Sequence, residues 1–352
     1  QKPLVPPMKY GTNARPPLKI MQTVIADLPA KHLPTYSPSA KSPKRLVIVG
    51  DVHGQLSALQ SLLDKLSFST PAGDHLILAG DMVTKGPDSV GVVDLAMRLG
   101  ASAVRGNHED RVLLVASRGS SDVVPTLANY TNTTAYGTIA TADDRAKSVA
   151  RALSAAQLTW LASRPIILRV GRLPSSSSPN TNTPPWNAGE LFVVHAGLVP
   201  RVPLHQQDPW AVMNMRSLLY PFSDVRRKTV RKRLDARAKK EHDRLDAIAK
   251  EEHERHPELP KPPAGRDVAV PIEGRDGEPW SEVWNRVQNG IERDEDRKVV
   301  VYGHDARKGL QTGVRYAFGL DSGCGNGKQL SALVLEAGPD GVTHRIVQVD
   351  CA

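Results

Sequence analysis

Five short clusters in this 352-residue chain carry side chains that hold divalent cations: "GDVHG" at 50–54, "GDMVTKGPDS" at 80–89, "GNHED" at 106–110, "VHAG" at 194–197 and "YGHDA" at 302–306. Their candidate donors are Asp, Asn and His side chains. These are hard oxygens and imidazoles, with no thiolate among them. Such a set suits a pair of ions such as zinc, manganese, cobalt or iron.

Each cluster follows a short apolar run, so the elements that position the donors are legible. "RLVIVG" from Arg45 reads as a buried strand, and Leu56, Leu59, Leu63 and Leu66 then recur at helical spacing. "HLILAG" at 75–80 is a second strand, residues 89–99 a second helix, and "ASAVRG" a third strand leading into a helix from about His108. A helix is expected near 147–163, then strands at "RPIILRV" and "LFVVHAG", separated by the low-complexity loop "LPSSSSPNTNTPP". "KVVVYGH", "VRYAFGLD", "LSALVLE" and "THRIVQV" read as late strands that form a second sheet packed on the first. Alternating β and α segments predict a layered α/β domain, and ligands gather at the carboxyl ends of strands in such sheets. Within an extended strand, residues two apart share a side, which explains the Asp51-His53 spacing.

Composition bounds the partners. The formal charge of +9 favours an anionic partner, and no apolar run is long enough to span a bilayer. Residues 1–44 hold nine prolines and are expected to form a flexible arm before a domain over 45–352. A charged insertion is expected at about 222–266; Arg226 to Lys240 holds nine basic residues against one acidic, read either as a solvated helix or as a lip that guides a long polyanion. Asn129 and Asn132 head glycosylation sequons, and the two cysteines, Cys324 and Cys351, could form a bridge contributing about 3–4 kcal/mol in an oxidising lumen. A secretory or vacuolar location is therefore expected, with the cytoplasm as the alternative. Because the chain starts at Gln1, an upstream signal or membrane anchor is also expected. His32, His75, His205 and His344 fall outside the clusters and read as surface or cap residues, while Trp280 and Trp284 read as packing anchors.

Taken together, the five clusters resemble the calcineurin-like metallophosphoesterases of the phosphoprotein-phosphatase superfamily, from Leu46 to Val349. The resemblance implies two mixed sheets sandwiched between helical layers. It implies Asp51 and His53 as ligands of one metal, Asp81 as the bridge, and Asn107, His195 and His304 as ligands of the second. A bridging carboxylate makes physical sense, since two cations ~3.5–4 Å apart repel unless an anion lies between them. A hydroxide held between the ions would be the nucleophile and His108 the general acid. Lys85, Arg216 and Arg105 are the candidates for binding phosphate oxygens.

Protein Ser/Thr phosphatases carry Asp-Arg where this chain has Thr84-Lys85, and that aspartate orients the catalytic histidine. Together with "AVRGNHE" and "GLDSGCGNGKQLSALVLE", this makes the chain similar to the diadenosine-tetraphosphatase (ApaH-like) branch, whose substrates are phosphoanhydrides. Within it, the basic character resembles the fungal vacuolar endopolyphosphatases. The expectation is thus a two-metal phosphoanhydride hydrolase acting on polyphosphate. A dinucleoside-polyphosphate hydrolase or RNA-cap pyrophosphatase is the alternative, and a Ser/Thr phosphatase ranks third. A polyanionic substrate is expected, without stable nucleic-acid or membrane binding.

Overall fold

The computed structural model describes residues 24–39, 43–119, 144–174, 184–219 and 269–351. Two five-stranded sheets face each other. The first runs β13-β12-β2-β3-β4, where β2 is Arg45–Val49, β3 His75–Leu78, β4 Ser102–Ala103, β12 Gln329–Gly338 and β13 Gly341–Asp350. β2, β3 and β4 are parallel, and β12 lies antiparallel to both β2 and β13. The second runs β1-β5-β6-β10-β11: Ile25–Asp27, Ile167–Gly171, Glu190–Val194, Lys298–Tyr302 and Ala317–Gly319. Here β6, β10 and β11 are parallel neighbours, while β5 runs antiparallel to β6.

Alternation along β2 shows how the layers form. Leu46 and Ile48 pack in the core between the sheets, whereas Val47 and Val49 pack against helices on the other face. Those helices are α1 Leu56–Lys65, α2 Ser89–Arg98, α3 Asn107–Gly119, α4 Asp144–Ala152 and α5 Ala155–Ala162. Leu59, Leu62 and Leu63 of α1 and Val92, Val93 and Ala96 of α2 fill that layer. The stretch expected as one helix near 147–163 is two, because Ser154 caps α5 in a reciprocal pair with Gln157. On the second sheet, α6 Pro209–Asn214 and α7 Trp280–Asn289 supply the cover, with Trp280 and Trp284 buried as packing anchors.

The mixed two-sheet class agrees with expectation, and three details differ. The late strands do not form a sheet of their own: β10 and β11 join β6, whereas β12 and β13 extend the sheet of β2. The arm expected over 1–44 contains β1, which pairs with β5, and Leu28 beyond it is buried in the core. Its apolar triplet Val24-Ile25-Ala26 completes a sheet edge despite the surrounding prolines. A third sheet, β8-β7-β9 (Val270–Ile272, Ser217–Leu219, Glu278–Pro279), was not foreseen.

His75 is buried and not a surface residue; its ring stacks on His32 with centroids 3.7 Å apart, and its Nε2 lies 2.9 Å from Ser102 Oγ. His344 packs against Trp186 and Phe318. Cys324 and Cys351 are joined in a disulfide. No helix among the described residues is long and apolar enough to cross a membrane. The sequons at Asn129 and Asn132 and the basic run at 226–256 lie outside the described residues.

Candidate metal centre

All five clusters meet at one edge, where the carboxyl ends of β2, β3, β4, β6 and β10 converge. Asp81 is central. Its Oδ1 lies 3.3 Å from His195 Nε2, and its Oδ2 lies 3.6 Å from His53 Nε2 and 3.8 Å from His108 Nε2. Asp51 Oδ2 is 3.7 Å from His53 Nε2, and Asn107 Oδ1 is 3.0 Å from His195 Nε2. The donor atoms of Asp81, His195 and His304 lie within 4.8 Å of one another, as do those of His53, Asp81 and His108. The six predicted ligands and His108 are therefore gathered in one buried cluster.

The chain must come unusually close to itself here. A side chain on Gly303 would collide with Asp51 Oδ1, and one on Gly106 would collide with Asp81 Oδ1. His53, Asp81, Thr84, Lys85 and His304 all adopt positive φ, between 49° and 71°. Such conformations cost side chains other than glycine ~1–3 kcal/mol each, and they concentrate where a site over-determines the backbone.

What holds this backbone is a residue left without a role in the sequence reading. The buried Glu109 carboxylate accepts from the amides of Asp81, Met82 and Gly106, each at 2.8 Å, and from Val83 at 3.2 Å. Asp81 Oδ1 accepts from the His108 amide at 3.0 Å, in the first turn of α3, where the helix dipole favours an anion. Asp321 was also missed. It lies two residues beyond β11, buried, and its carboxyl is hydrogen-bonded to Asp51. Its signal was the one that marked the other clusters, a carboxylate following an apolar strand in "GLDSG".

Three histidines share one device. The Nδ1–H of His53 donates to Val83 O at 3.2 Å, that of His195 to Ala79 O at 2.9 Å, and the Nε2–H of His304 to Asn214 O at 2.9 Å. A carbonyl only accepts, so each outer nitrogen carries the proton and each inner nitrogen presents a lone pair to the cluster.

The electrostatics also favour cations. Burial and then the Asp321 carboxyl push the Asp51 carboxyl well above its ordinary range. Burial pushes Asp81 the same way, but the neighbouring His195 and His108 outweigh it and hold Asp81 well below. Burial lowers His53 to about 3 and His304 well below its usual value, keeping both imidazoles neutral. Burial would lower His195 too, yet Asp81 and Asp51 raise it to about 10, so positive charge is favoured between these carboxylates. A pair of divalent cations would supply that positive charge and displace the protons that Asp51 and His195 otherwise hold.

The phosphate candidates divide. Lys85 Nζ lies 2.7 Å from His53 Nε2, at the cluster. Arg216 lies just ahead of β7 and donates to His304 O and Glu273 O, each at 3.2 Å, with Glu273 Oε1 at 3.7 Å. Arg105 does not belong to the site. It is fully buried, donating to Ala162 O of α5 at 2.6 Å with Asp110 at 3.8 Å, so it cannot reach a bound phosphate.

Comparisons with known proteins agree with this geometry. A segment of the chain is 34% identical over 122 residues to "Serine/threonine-protein phosphatase 1" of Salmonella typhimurium, covering 35% of the chain and 54% of that protein. It is 31% identical over 156 residues to "Bis(5'-nucleosyl)-tetraphosphatase, symmetrical" of Dechloromonas aromatica, covering 44% of each. The Methylococcus capsulatus protein of that name is 34% identical over 157 residues, 44% of the chain and 49% of the relative. The chain thus spans about half the length of the curated relatives it matches. A crystal structure assigned provisionally as a diadenosine tetraphosphatase superposes with a TM-score of 0.56 at 27% identity, covering 94% of the chain and 99% of the other. The family model for calcineurin-like phosphoesterases matches residues 44–322. That span opens just before β2 and closes just after Asp321, enclosing every donor described above, and the chain belongs to the calcineurin-like phosphoesterase family.

Proposed function

We propose that this protein hydrolyses phosphoanhydride bonds in dinucleoside polyphosphates of the diadenosine tetraphosphate kind. The observation that carries this reading is the turn after Asp81, where Thr84 lies on His108 and Lys85 on His53, with no carboxylate-arginine pair. The tetraphosphatase relatives and the superposed structure support it over the expected endopolyphosphatase activity. Asp51, His53, Asp81, Asn107, His195 and His304 would hold two divalent ions. When bound, these ions supply Lewis acidity to the phosphoryl oxygens and acidify a water. Lys85 and Arg216 offset charge on the non-bridging oxygens, and His108 donates a hydrogen bond to the departing phosphate oxygen.

Polyphosphate remains the second reading, favoured by the +9 charge and the basic run from Arg226 to Lys240. The disulfide supports an oxidising compartment. A panel of diadenosine tetraphosphate, long-chain polyphosphate, capped RNA and a phosphopeptide, each with zinc, manganese, cobalt or magnesium, tests the proposal. Diadenosine tetraphosphate should be the preferred substrate. Faster turnover of phosphopeptide, or of polyphosphate with the dinucleotide inert, would reject it.

A further inference from the structure

His108 stands apart from the other histidines of the centre in one respect. Its Nδ1 meets a hydroxyl, Thr84 Oγ1, at 2.5 Å, and no backbone carbonyl. Both residues are buried. A carbonyl forces the proton outward and leaves the inner nitrogen a ligand, whereas a hydroxyl can donate. Donation by Thr84 places the lone pair of His108 on the outer Nδ1 and the proton on the inner Nε2. An imidazole held this way faces the centre with an N–H, which cannot ligate a cation but can donate a hydrogen bond to a departing oxygen.

The distances make the distinction necessary. His108 Nε2 is as close to Asp81 as His53 Nε2 is, 3.8 Å against 3.6 Å, and its donor falls in the same group as those of His53 and Asp81. Position alone would therefore allow His108 to serve as a further metal ligand. Thr84 is itself constrained. Its amide donates to Ser89 Oγ at 2.8 Å, the amides of the three residues before it are held by Glu109, and it is a β-branched residue at φ 71°. A threonine in the left-handed region is a steric outlier, and here the constraint aims a hydroxyl at one imidazole nitrogen.

We propose that Thr84 is a positioning residue whose hydroxyl donates to His108 Nδ1, fixing the tautomer that makes this histidine a hydrogen-bond donor to the departing oxygen instead of a metal ligand. The inference rests on the phosphohydrolase reading above for the use made of that proton, but not for the tautomer. Hydrogen bonding without full proton transfer suits leaving groups of low basicity, such as the phosphates released from anhydrides.

The experiment compares wild-type, Thr84→Val and Thr84→Ser proteins loaded with zinc or cadmium. With 15N-labelled histidine, wild-type His108 should show an unprotonated Nδ1 and a protonated Nε2. That preference should be lost in Thr84→Val and kept in Thr84→Ser. With a series of substituted phenyl phosphates, Thr84→Val should lower kcat roughly tenfold or more with little change in KM. The loss should grow with leaving-group basicity, and Thr84→Ser should recover most of it. A protonated Nδ1 in the wild type, cadmium coupling to His108 Nε2, or an unchanged kcat in Thr84→Val would overturn the inference. Because the phenyl series and the nitrogen shifts do not depend on dinucleotide turnover, inertness toward diadenosine tetraphosphate would reject the proposed substrate and leave this assignment standing.

Discussion

The two sheets contribute to the centre in unlike ways. The sheet of β2, β3 and β4 supplies Asp51, His53, Asp81, Asn107 and His108 from a span of fewer than 60 residues, with His53 and Asp81 at positive φ and the turn after Asp81 clamped by Glu109. The sheet of β6 and β10 supplies the imidazoles His195 and His304 from positions 109 residues apart. One side is an anionic, conformationally strained half built from local βα units. The other presents two imidazoles just beyond strand ends, His195 drawn toward positive charge by Asp81 and Asp51 and His304 at positive φ. The contrast shows where the work of assembly falls: buried carboxylates repel one another until cations arrive, so their half needs the tighter backbone restraint.

Asp81 joins the halves, and Asp81→Asn should break both. Nearly all metal-dependent turnover should disappear, and elemental analysis after dialysis should show fewer than two bound ions. Full activity with two ions retained would mean that the halves are not bridged there.

The disulfide should sharpen the contrast from one side only. Cys324 begins a turn in which Gly325 approaches the ring of His53 so closely that an added Cβ would lie 2.5 Å from its Cδ2. Replacing both Cys324 and Cys351 by Ser opens a link across 27 residues. Stability should fall by about 3–4 kcal/mol in denaturant titration. Metal retention should weaken at the Asp51-His53 position before it weakens at His195 and His304. Equal loss at both would show that the turn supports the whole centre and not one half.

The smallest effect is expected at the opposite end of β3. Burial, followed by the charges of His32 and Lys31, lowers His75 from 6.5 to about 4. Between those values the unfolded chain binds the proton and the folded chain does not. Stability is therefore complete above about pH 6.5 and declines as pH falls toward about 4. His75→Phe keeps a ring against His32 and should flatten that acid limb in urea titrations, with metal content unchanged. A limb as steep as the wild type would assign the acid sensitivity elsewhere.

The donors were legible because each ends a strand whose apolar run is unmistakable, and because Asp51 and His53 keep the two-residue spacing of an extended chain. Arg105 misled for a related reason. It also follows such a run, but β4 ends at Ala103, so alternation no longer dictates which way its side chain points, and it turns toward α5. The assignment of β12 to the first sheet could not be read locally. Leu330, Ala332, Leu333, Val334 and Leu335 are all buried, which marks a central strand without naming its neighbours. β1 was hidden by composition, since three apolar residues among nine prolines carry no period of their own. Thr84 was noticed for the aspartate it replaces, whereas its hydroxyl bond to His108 depends on a left-handed turn that no local pattern announces.

The third sheet has a consequence for design. Leu219, the last residue of β7, pairs with Val270, the first of β8, and Ser217 pairs with Ile272 in the same antiparallel ladder. The chain therefore leaves and re-enters this ladder at adjacent points, Leu219 and Val270. Arg216 is set by the ladder from below. Swapping the intervening chain for a two-residue turn, or for another protein's excursion, would keep both ends in register. That junction lets the length of chain between Leu219 and Val270 change while the register beside Arg216 stays fixed.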